Sequence, residues 1–187
     1  LKVSTIAPLG TDATKTITLG ESGGTLGIAS GAKTSGFGKI GQIVSTSKTD
    51  TFSTTSTSYT DVDNLSISIT PSTTSSKILI QFYGQGSTSN TDTGQIRLDR
   101  DGTDIFLGDS DGSKQQSTVA LSQGDGSKMR NVSFNYIDSP STTSAVTYKI
   151  QLRANSGTSY LGRSRTDGDS TGYPRTPLQF IAMEILD

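Results

Sequence analysis

The chain has 187 residues, 30% of them hydrophobic and 6% aromatic, and its formal net charge at pH 7 is −1. Histidine, cysteine and tryptophan are absent, which excludes a Ser-His-Asp triad, His- or Cys-ligated zinc, disulfides and thiol nucleophiles. The near-balanced charge offers no basic surface for nucleic acid or anionic lipid. Apolar runs such as residues 78–80 are too short to span a bilayer. We therefore expect no nucleic-acid partner and no membrane insertion.

Residues 1–38 differ from the remainder of the chain. Short groups of apolar residues alternate there with glycines, and the sequence from Lys15 to Leu19 favours a β-strand. Such a segment cannot enclose its own core, so it is either a stalk that intertwines with copies of itself or a flexible linker. We assign 1–38 to an amino-terminal stalk or attachment segment and 39–187 to a β-sandwich knob. Because the first residue is Leu1 and not Met, we expect a fragment or the ordered part of a longer protein.

Serine and threonine alternate with Val, Ile, Leu, Phe and Tyr from Gly41 onward. Abundant serine with low hydrophobicity usually indicates disorder, but a period of two is what a half-buried antiparallel strand requires. The strand signals recur about every 8 to 12 residues, as in sandwiches and jelly rolls. The predicted strands are 42–46, a short one at Phe52, 65–70, 77–84, 95–101, a return through Ile105 and Leu107, 117–121, 132–136, 145–153 and 178–186.

Three of these elements carry a more specific expectation. Segments 77–84 and 178–186 are apolar on both faces, which predicts a central strand for the first and an interior or subunit-interface strand for the second. Asp101-Gly102 predicts a type I′ hairpin turn. In the strand before that turn, Arg97 and Asp99 are expected to face outward. Together the elements predict an all-β, antiparallel, jelly-roll-like sandwich.

Several runs resemble a domain common in tail-fibre-like and other virion structural proteins of marine bacteriophages. They include Asp50-Thr-Phe-Ser-Thr-Thr-Ser-Thr-Ser-Tyr59 and Leu65-Ser-Ile-Ser-Ile-Thr-Pro71. The runs 136–148 and 16–32 resemble other parts of such proteins. The strand order is also similar to that of trimeric jelly rolls of the C1q and tumour-necrosis-factor type.

This resemblance implies a homotrimer on the virion surface, bound to another virion protein through residues 1–38, with the knob pointing outward. The function implied is a phage fibre component that attaches to the host cell surface by non-covalent binding. The alternative is a capsid-bound decoration or head-fibre protein with a structural role. The tail or head location, the receptor, the host and the docking partner stay open.

The polar stretch 156–176 is the candidate receptor-binding loop. Tyrosine supplies flat amphipathic contact area, and arginine binds carboxylate or phosphate groups of surface glycans. The alternative is a loop that is solvated or packs on a neighbouring subunit. The receptor-binding candidates are Tyr160, Arg163, Arg165, Tyr173 and Arg175.

Carboxylates give two weaker hypotheses. Asp99, Asp101 and Asp104 resemble the start of a calcium loop, but the distal glutamate is missing and a plain Asp-Gly turn explains the sequence. Glycan cleavage needs paired carboxylates and aromatic platforms, and tryptophan is absent. We expect no metal, no cofactor and no enzymatic activity. The carboxylates considered for cleavage are Asp104, Asp109, Asp111, Asp167 and Asp169.

Overall fold

A computed structural model describes residues 40–89, 93–122 and 128–186 of the chain. Every regular element in these ranges is a β-strand, and all pairings are antiparallel, so the predicted all-β antiparallel sandwich is confirmed. The predicted stalk, residues 1–38, lies outside the described residues. The strands are β1 (Ile40–Lys48), β2 (Phe52–Thr54), β3 (Thr60–Ile69), β4 (Lys77–Thr88), β5 (Gly94–Arg100), β6 (Thr103–Ile105), β7 (Val119–Leu121), β8 (Arg130–Asp138), β9 (Val146–Ala154), β10 (Ser159–Leu161) and β11 (Leu178–Ile185).

The strands form two sheets. The six-stranded sheet has the order β1-β11-β4-β10-β2, with β8 also paired to β4, and the five-stranded sheet has the order β3-β9-β5-β6, with β7 paired to β5. The predicted central position of β4 is confirmed, because it pairs with β8, β10 and β11. Strand β11 lies between β1 and β4, as expected of a strand that is apolar on both faces.

The core between the sheets is mostly aliphatic, with three phenylalanines from the six-stranded sheet. Phe82 of β4 contacts Phe134 and Phe180 from the two adjacent strands, with ring centroids 5.7 and 6.4 Å apart. The opposite sheet contributes the alternating residues of β9, which are all buried as the period of two predicts. These residues are Val146, Tyr148, Ile150 and Leu152.

The predicted hairpin turn is confirmed. Arg100 pairs with Thr103, and both turn residues have positive φ, 49° at Asp101 and 85° at Gly102, as a type I′ turn requires. Asp99 is not the exposed residue that its outward position suggests: it is 3% exposed, and its Oδ1 accepts the N–H of Gly102 at 3.1 Å. The return strand stops before Leu107.

The early end of β6 has a local backbone cause. Strand β6 ends at Ile105, and the next residue, Phe106, has a φ of +55° that no strand can continue. The Phe106 ring stacks on Tyr136 of the other sheet with centroids 4.6 Å apart. The prediction that the return strand runs through Leu107 is therefore wrong, because the chain leaves the sheet to place this ring.

A buried polar cluster joins the two sheets. Asp138 of β8, 3% exposed, accepts two hydrogen bonds from the guanidinium of Arg100 at 2.8 and 2.9 Å. Its Oδ2 also accepts the hydroxyl hydrogen of Tyr148 at 2.7 Å. Burial is the main cause that raises the pKa of Tyr148 well above its usual value, and this hydrogen bond is the second. The hydroxyl therefore remains a donor, and the buried polar groups of the cluster keep their hydrogen bonds.

A second buried carboxylate, Glu184 of β11, holds the connection between β3 and β4. It is fully buried and accepts the Ser72 N–H at 2.5 Å, the Ser72 hydroxyl at 3.0 Å and the Gln42 amide at 2.9 Å. Burial alone raises the pKa of Glu184, but the hydrogen bonds from Gln42, Ser72 and Ser76 outweigh it and lower the pKa. The carboxylate is therefore ionised and stabilising at neutral pH.

The register of β1 with β11 gives the sandwich two distinct ends. Ile40 lies opposite Ile185, and Lys48 lies opposite Leu178. The described chain therefore begins at the end where β11 finishes, and the loop that precedes β11 lies at the other end. Leu178 and Ile185 are seven positions apart, which corresponds to about 24 Å along an extended strand.

We predict that Glu184→Gln lowers the free energy of unfolding at pH 7 by about 1 to 3 kcal/mol, because an amide would point a donor at the donors of Ser72 or Gln42. A lowered carboxyl pKa stabilises the folded state above the unfolded-state pKa, and this stabilisation is lost as pH falls through the folded-state value. The difference between wild type and variant should therefore shrink between about pH 5 and pH 2. Denaturant unfolding across this range measures it.

The matched control is Asp111→Asn, at a carboxylate that is 64% exposed and pairs with Lys114. It should change stability by less than about 0.5 kcal/mol. A Glu184→Gln variant as stable as wild type at neutral pH would contradict the assignment.

Candidate recognition surface

The candidate loop occupies residues 162–177, between β10 and β11. Its base is closed by backbone contacts: the Thr176 N–H donates to the Gly162 carbonyl at 3.0 Å, and Arg163 forms a β-bridge with Arg175. Gly162 has a φ of +74°, and an added Cβ would lie 3.2 Å from two backbone oxygens. The loop is therefore anchored on a position that requires glycine.

The first candidate, Tyr160, is part of a strand that sequence reasoning missed. Strand β10 pairs with β4 on one side and with β2 on the other, which places Tyr160 opposite Ser87 and Ser53. Three residues within a long polar stretch carry too little alternation to indicate a strand. Tyr160 is therefore fixed by the sheet.

Arg163 packs on Tyr160 and braces the loop. Its guanidinium carbon lies 4.4 Å from the centroid of the Tyr160 ring, a cation–π geometry. The same guanidinium donates to the carbonyls of Ser164 and Arg165 at 3.1 and 3.0 Å. Most of its hydrogen-bonding capacity is thus used inside the loop.

Arg165 ties the loop to the end of β4. Its Nη1 donates to the carbonyl of Ser89 at 3.1 Å. The neighbouring Ser164, 1% exposed, donates its hydroxyl to the carbonyl of Thr166 at 2.5 Å. These contacts hold the first half of the loop against the sandwich.

Asp167 connects the two halves of the loop. Its carboxylate accepts hydrogen bonds from Arg175 at 2.6 and 3.3 Å, and Arg163 lies 3.3 Å away on the other side. The hydrogen bond from Arg175 is the main cause that lowers the pKa of Asp167, and the charge of Arg163 adds to it. The sequence places Asp167 in the candidate loop and among the carboxylates considered for cleavage, and the structure shows that it links two arginines.

The second half of the loop forms an open concavity of about 680 Å³. The edge of the Tyr173 ring packs against Gly168, so closely that a Cβ added to this glycine would lie 3.0 Å from the ring. The backbone N–H of Tyr173 donates to the Ser170 carbonyl at 3.1 Å. The Arg175 side chain is 59% exposed. The concavity is lined by Asp167, Gly168, Asp169, Ser170, Thr171, Tyr173 and Arg175.

The five receptor-binding candidates therefore fall into two groups. Tyr160, Arg163 and Arg165 form the base of the loop, where the Tyr160 ring packs on Arg163 and both guanidinium groups donate to backbone carbonyls. Tyr173 and Arg175 line the concavity, together with the exposed carboxylate of Asp169. The sequence grouped these residues in one loop but could not separate the bracing side chains from the accessible ones.

The carboxylates considered as calcium ligands have partners within the protein. The Asp99 carboxylate holds the hairpin turn as described above, Asp101 accepts the Thr147 N–H at 2.9 Å, and Asp104 pairs with Arg97 at 2.5 Å. Within residues 40–89, 93–122 and 128–186, no group of three or more acidic side chains is arranged to hold a metal ion. In the same ranges, no helix has the length and hydropathy needed to cross a membrane.

No protein-family model matches the chain, and no curated protein matches it. Among solved structures, the chain is similar to those titled as the structure of infectious bursal disease virus, Gx strain and Gt strain, at 15% and 13% sequence identity. Both alignments have a TM-score of 0.36 and cover 78% of this chain, but only 37% and 38% of the respective viral chains. The chain thus spans less than two fifths of the length of these proteins.

We predict that Asp167→Asn loosens the loop, because a neutral amide no longer holds the two arginines together. Amide hydrogen exchange at Tyr173 and at its neighbours should become several-fold faster at pH 7, whereas strands β4 and β11 should be unaffected. Asp169→Asn is the matched control, since Asp169 lies in the same loop outside this ion-pair cluster. Equal exchange rates in the two variants would show that Asp167 does not brace the loop.

Proposed function

We propose that this chain is a virion-surface component that attaches a phage particle to the host cell by non-covalent binding. The separation of the two ends of the sandwich carries the proposal. The chain reaches Ile40 at one end, and the loop 162–177 lies at the other. A segment before Ile40 that docks on the particle therefore leaves this loop directed away from the docking site.

The chemistry of the loop supports a surface glycan as the partner. The accessible groups are an aromatic ring at Tyr173, a guanidinium at Arg175 and a carboxylate at Asp169, all lining one concavity. Sugars are bound by such combinations, because the ring packs on C–H groups and the polar groups bond to hydroxyls or acidic substituents. The bracing by Arg163 and Asp167 presents these groups on a preorganised backbone, which reduces the entropy lost on binding.

The electrostatics of the acidic residues favours binding over catalysis. A glycosidase needs one carboxyl whose pKa is raised so that it can act as a general acid. The hydrogen bond from Arg175 lowers the pKa of Asp167, and hydrogen bonds from Lys149 and Gln151 lower that of Asp61. These carboxylates are held ionised, as suits ion pairing and ligand binding.

A second candidate is a capsid-bound decoration or head-fibre protein with a mechanical role. The internal use of Arg163 and Arg165 favours it, since these bonds close the loop and reduce the number of groups available to a ligand. In that case the β-sandwich domain covers the particle surface and binds no receptor.

The test is binding of the fluorescently labelled chain to a panel of marine bacteria. We predict that wild type binds at least one strain and that Tyr173→Ala and Arg175→Ala each weaken this binding at least tenfold, about the loss expected when a central contact is truncated. Flow cytometry over a concentration series gives the apparent affinity. Lys149→Ala, which removes a charge from the broad face of the five-stranded sheet, is the matched control and should bind as wild type does.

Two results would count against attachment through this loop. Binding that persists in the Tyr173→Ala and Arg175→Ala variants would place the receptor site elsewhere on the chain. A wild-type chain that binds no strain, yet is found on the capsid in particle images, would favour the decoration protein.

A further inference from the structure

The outer face of the six-stranded sheet carries an uncharged, partly apolar surface. Strand pairing aligns Ile43 with Met183, Met183 with Leu79, and Leu79 with Ile137, so one apolar row crosses four strands. Ile43 is 59% and Ile137 53% exposed in the single chain, and Ile40, 56% exposed, pairs with Ile185 beside the row. Exposed apolar side chains in so regular a row are unusual on a monomer.

The same face continues as a ladder of amides and hydroxyls. Gln81 donates to Asn135 at 3.1 Å and to the Tyr83 hydroxyl at 3.0 Å, and Gln85 donates to Asn131 at 2.7 Å. Within these four described strands, Lys77 at the edge is the one charged side chain that the alternation places on this outer face. A neutral, hydrogen-bonding surface of this kind can be desolvated without burying charge.

The outer face of the five-stranded sheet has the opposite character. The Asp61 carboxylate accepts hydrogen bonds from Lys149 at 2.8 Å and from the Gln151 amide at 2.5 Å. The amide oxygen of Gln151 in turn accepts a hydrogen bond from Arg97 at 2.6 Å. Arg97 then pairs with Asp104. A sheet face covered with ion pairs is typical of a solvent-exposed surface. Of the two outer faces in the described part of the chain, that of the six-stranded sheet is the better suited to a protein partner.

The size and the uncharged character of this face point to a second copy of the chain as its occupant. Four strands of about eight residues cover a projected area of roughly 500 Å². The accessible surface of the side chains on this face is larger than its projection and approaches the roughly 800 Å² that each partner buries in a standard interface. The chain preceding Ile40 joins the sandwich at the apolar end of this face. A second copy of this chain carries the same uncharged face, so two such faces can meet without burying an unpaired charge.

We propose that the outer face of β1, β11, β4 and β8 is the interface between copies of this chain, in an assembly that we expect to be a homotrimer. The apolar row supplies the buried contact, and the amide ladder supplies hydrogen bonds that fix the register between copies. This interface goes beyond the attachment function and does not depend on it. The five-stranded face and the loop 162–177 stay accessible in such an assembly.

The absence of native cysteine permits a direct test with single-cysteine variants of the full chain. Ile137→Cys and Ile43→Cys place a thiol on the proposed interface, and Ser68→Cys places one at an exposed position on the five-stranded sheet. The rate of maleimide labelling measures the accessibility of each thiol, and light scattering measures the mass. We expect the two interface thiols to react at least about tenfold more slowly than the control, in a particle with the mass of three chains.

Two results would overturn the proposal. Labelling of Ile137→Cys and Ile43→Cys as fast as that of Ser68→Cys would show that the face is open to solvent. Slow labelling in a particle with the mass of one chain would show that the face is covered by the chain's own residues 1–38 instead of by a second copy. Slow labelling in an oligomer supports the interface, whether or not any cell is bound.

Discussion

Strand β11 completes the six-stranded sheet by inserting between β1 and β4, and the remaining features of the molecule depend on this insertion. On its inner face it places Phe180 against Phe82 at the centre of the core. On the same face it buries Glu184, which holds the Ser72 segment. On its outer face it supplies Met183, which joins the apolar residues of β1 and β4 in one row. Because β11 lies between β1 and β4, the six-stranded sheet is incomplete until this strand has paired.

The chain builds this sandwich without disulfides or tryptophan, and it uses buried charged groups to connect its parts. Asp138 links β8 to Arg100 and Tyr148 of the opposite sheet. Lys48, 1% exposed, donates to both Asp50 and Asp63 at 2.9 Å; burial lowers its pKa, but these two carboxylates raise it more, and the net effect is a raised pKa. Each of these charges is paired, so burial does not leave an uncompensated ion. Such links specify which strands meet, which aliphatic packing alone does less strictly.

Local sequence was sufficient to predict the long strands from their period of two, the central position of β4 from its two apolar faces, and the type I′ turn from Asp101-Gly102. It was insufficient for β10, whose three residues are ordered by pairing with β4 and β2. It also gave no indication of the role of Glu184, because its partners Ser72 and Gln42 are distant in sequence. In the candidate loop, residue type indicated Tyr173 and Arg175, but the bracing role of Asp167 depends on a hydrogen bond across eight residues. Contacts of that kind are set by tertiary structure, which one sequence does not show.

The closed base of the loop has a consequence for how such a protein can diversify. Gly162 and Thr176 are joined by a backbone hydrogen bond, and the Arg163–Arg175 bridge lies directly above it. This closed base and the bond from Arg165 to Ser89 hold the loop on the sandwich, whereas the residues between Asp167 and Tyr173 are not part of the core. Sequence changes in that tip can alter its shape and charge without a cost in folding. The fold thus separates a packed sandwich from a solvent-exposed tip, so a change in the tip leaves the packing of the core intact.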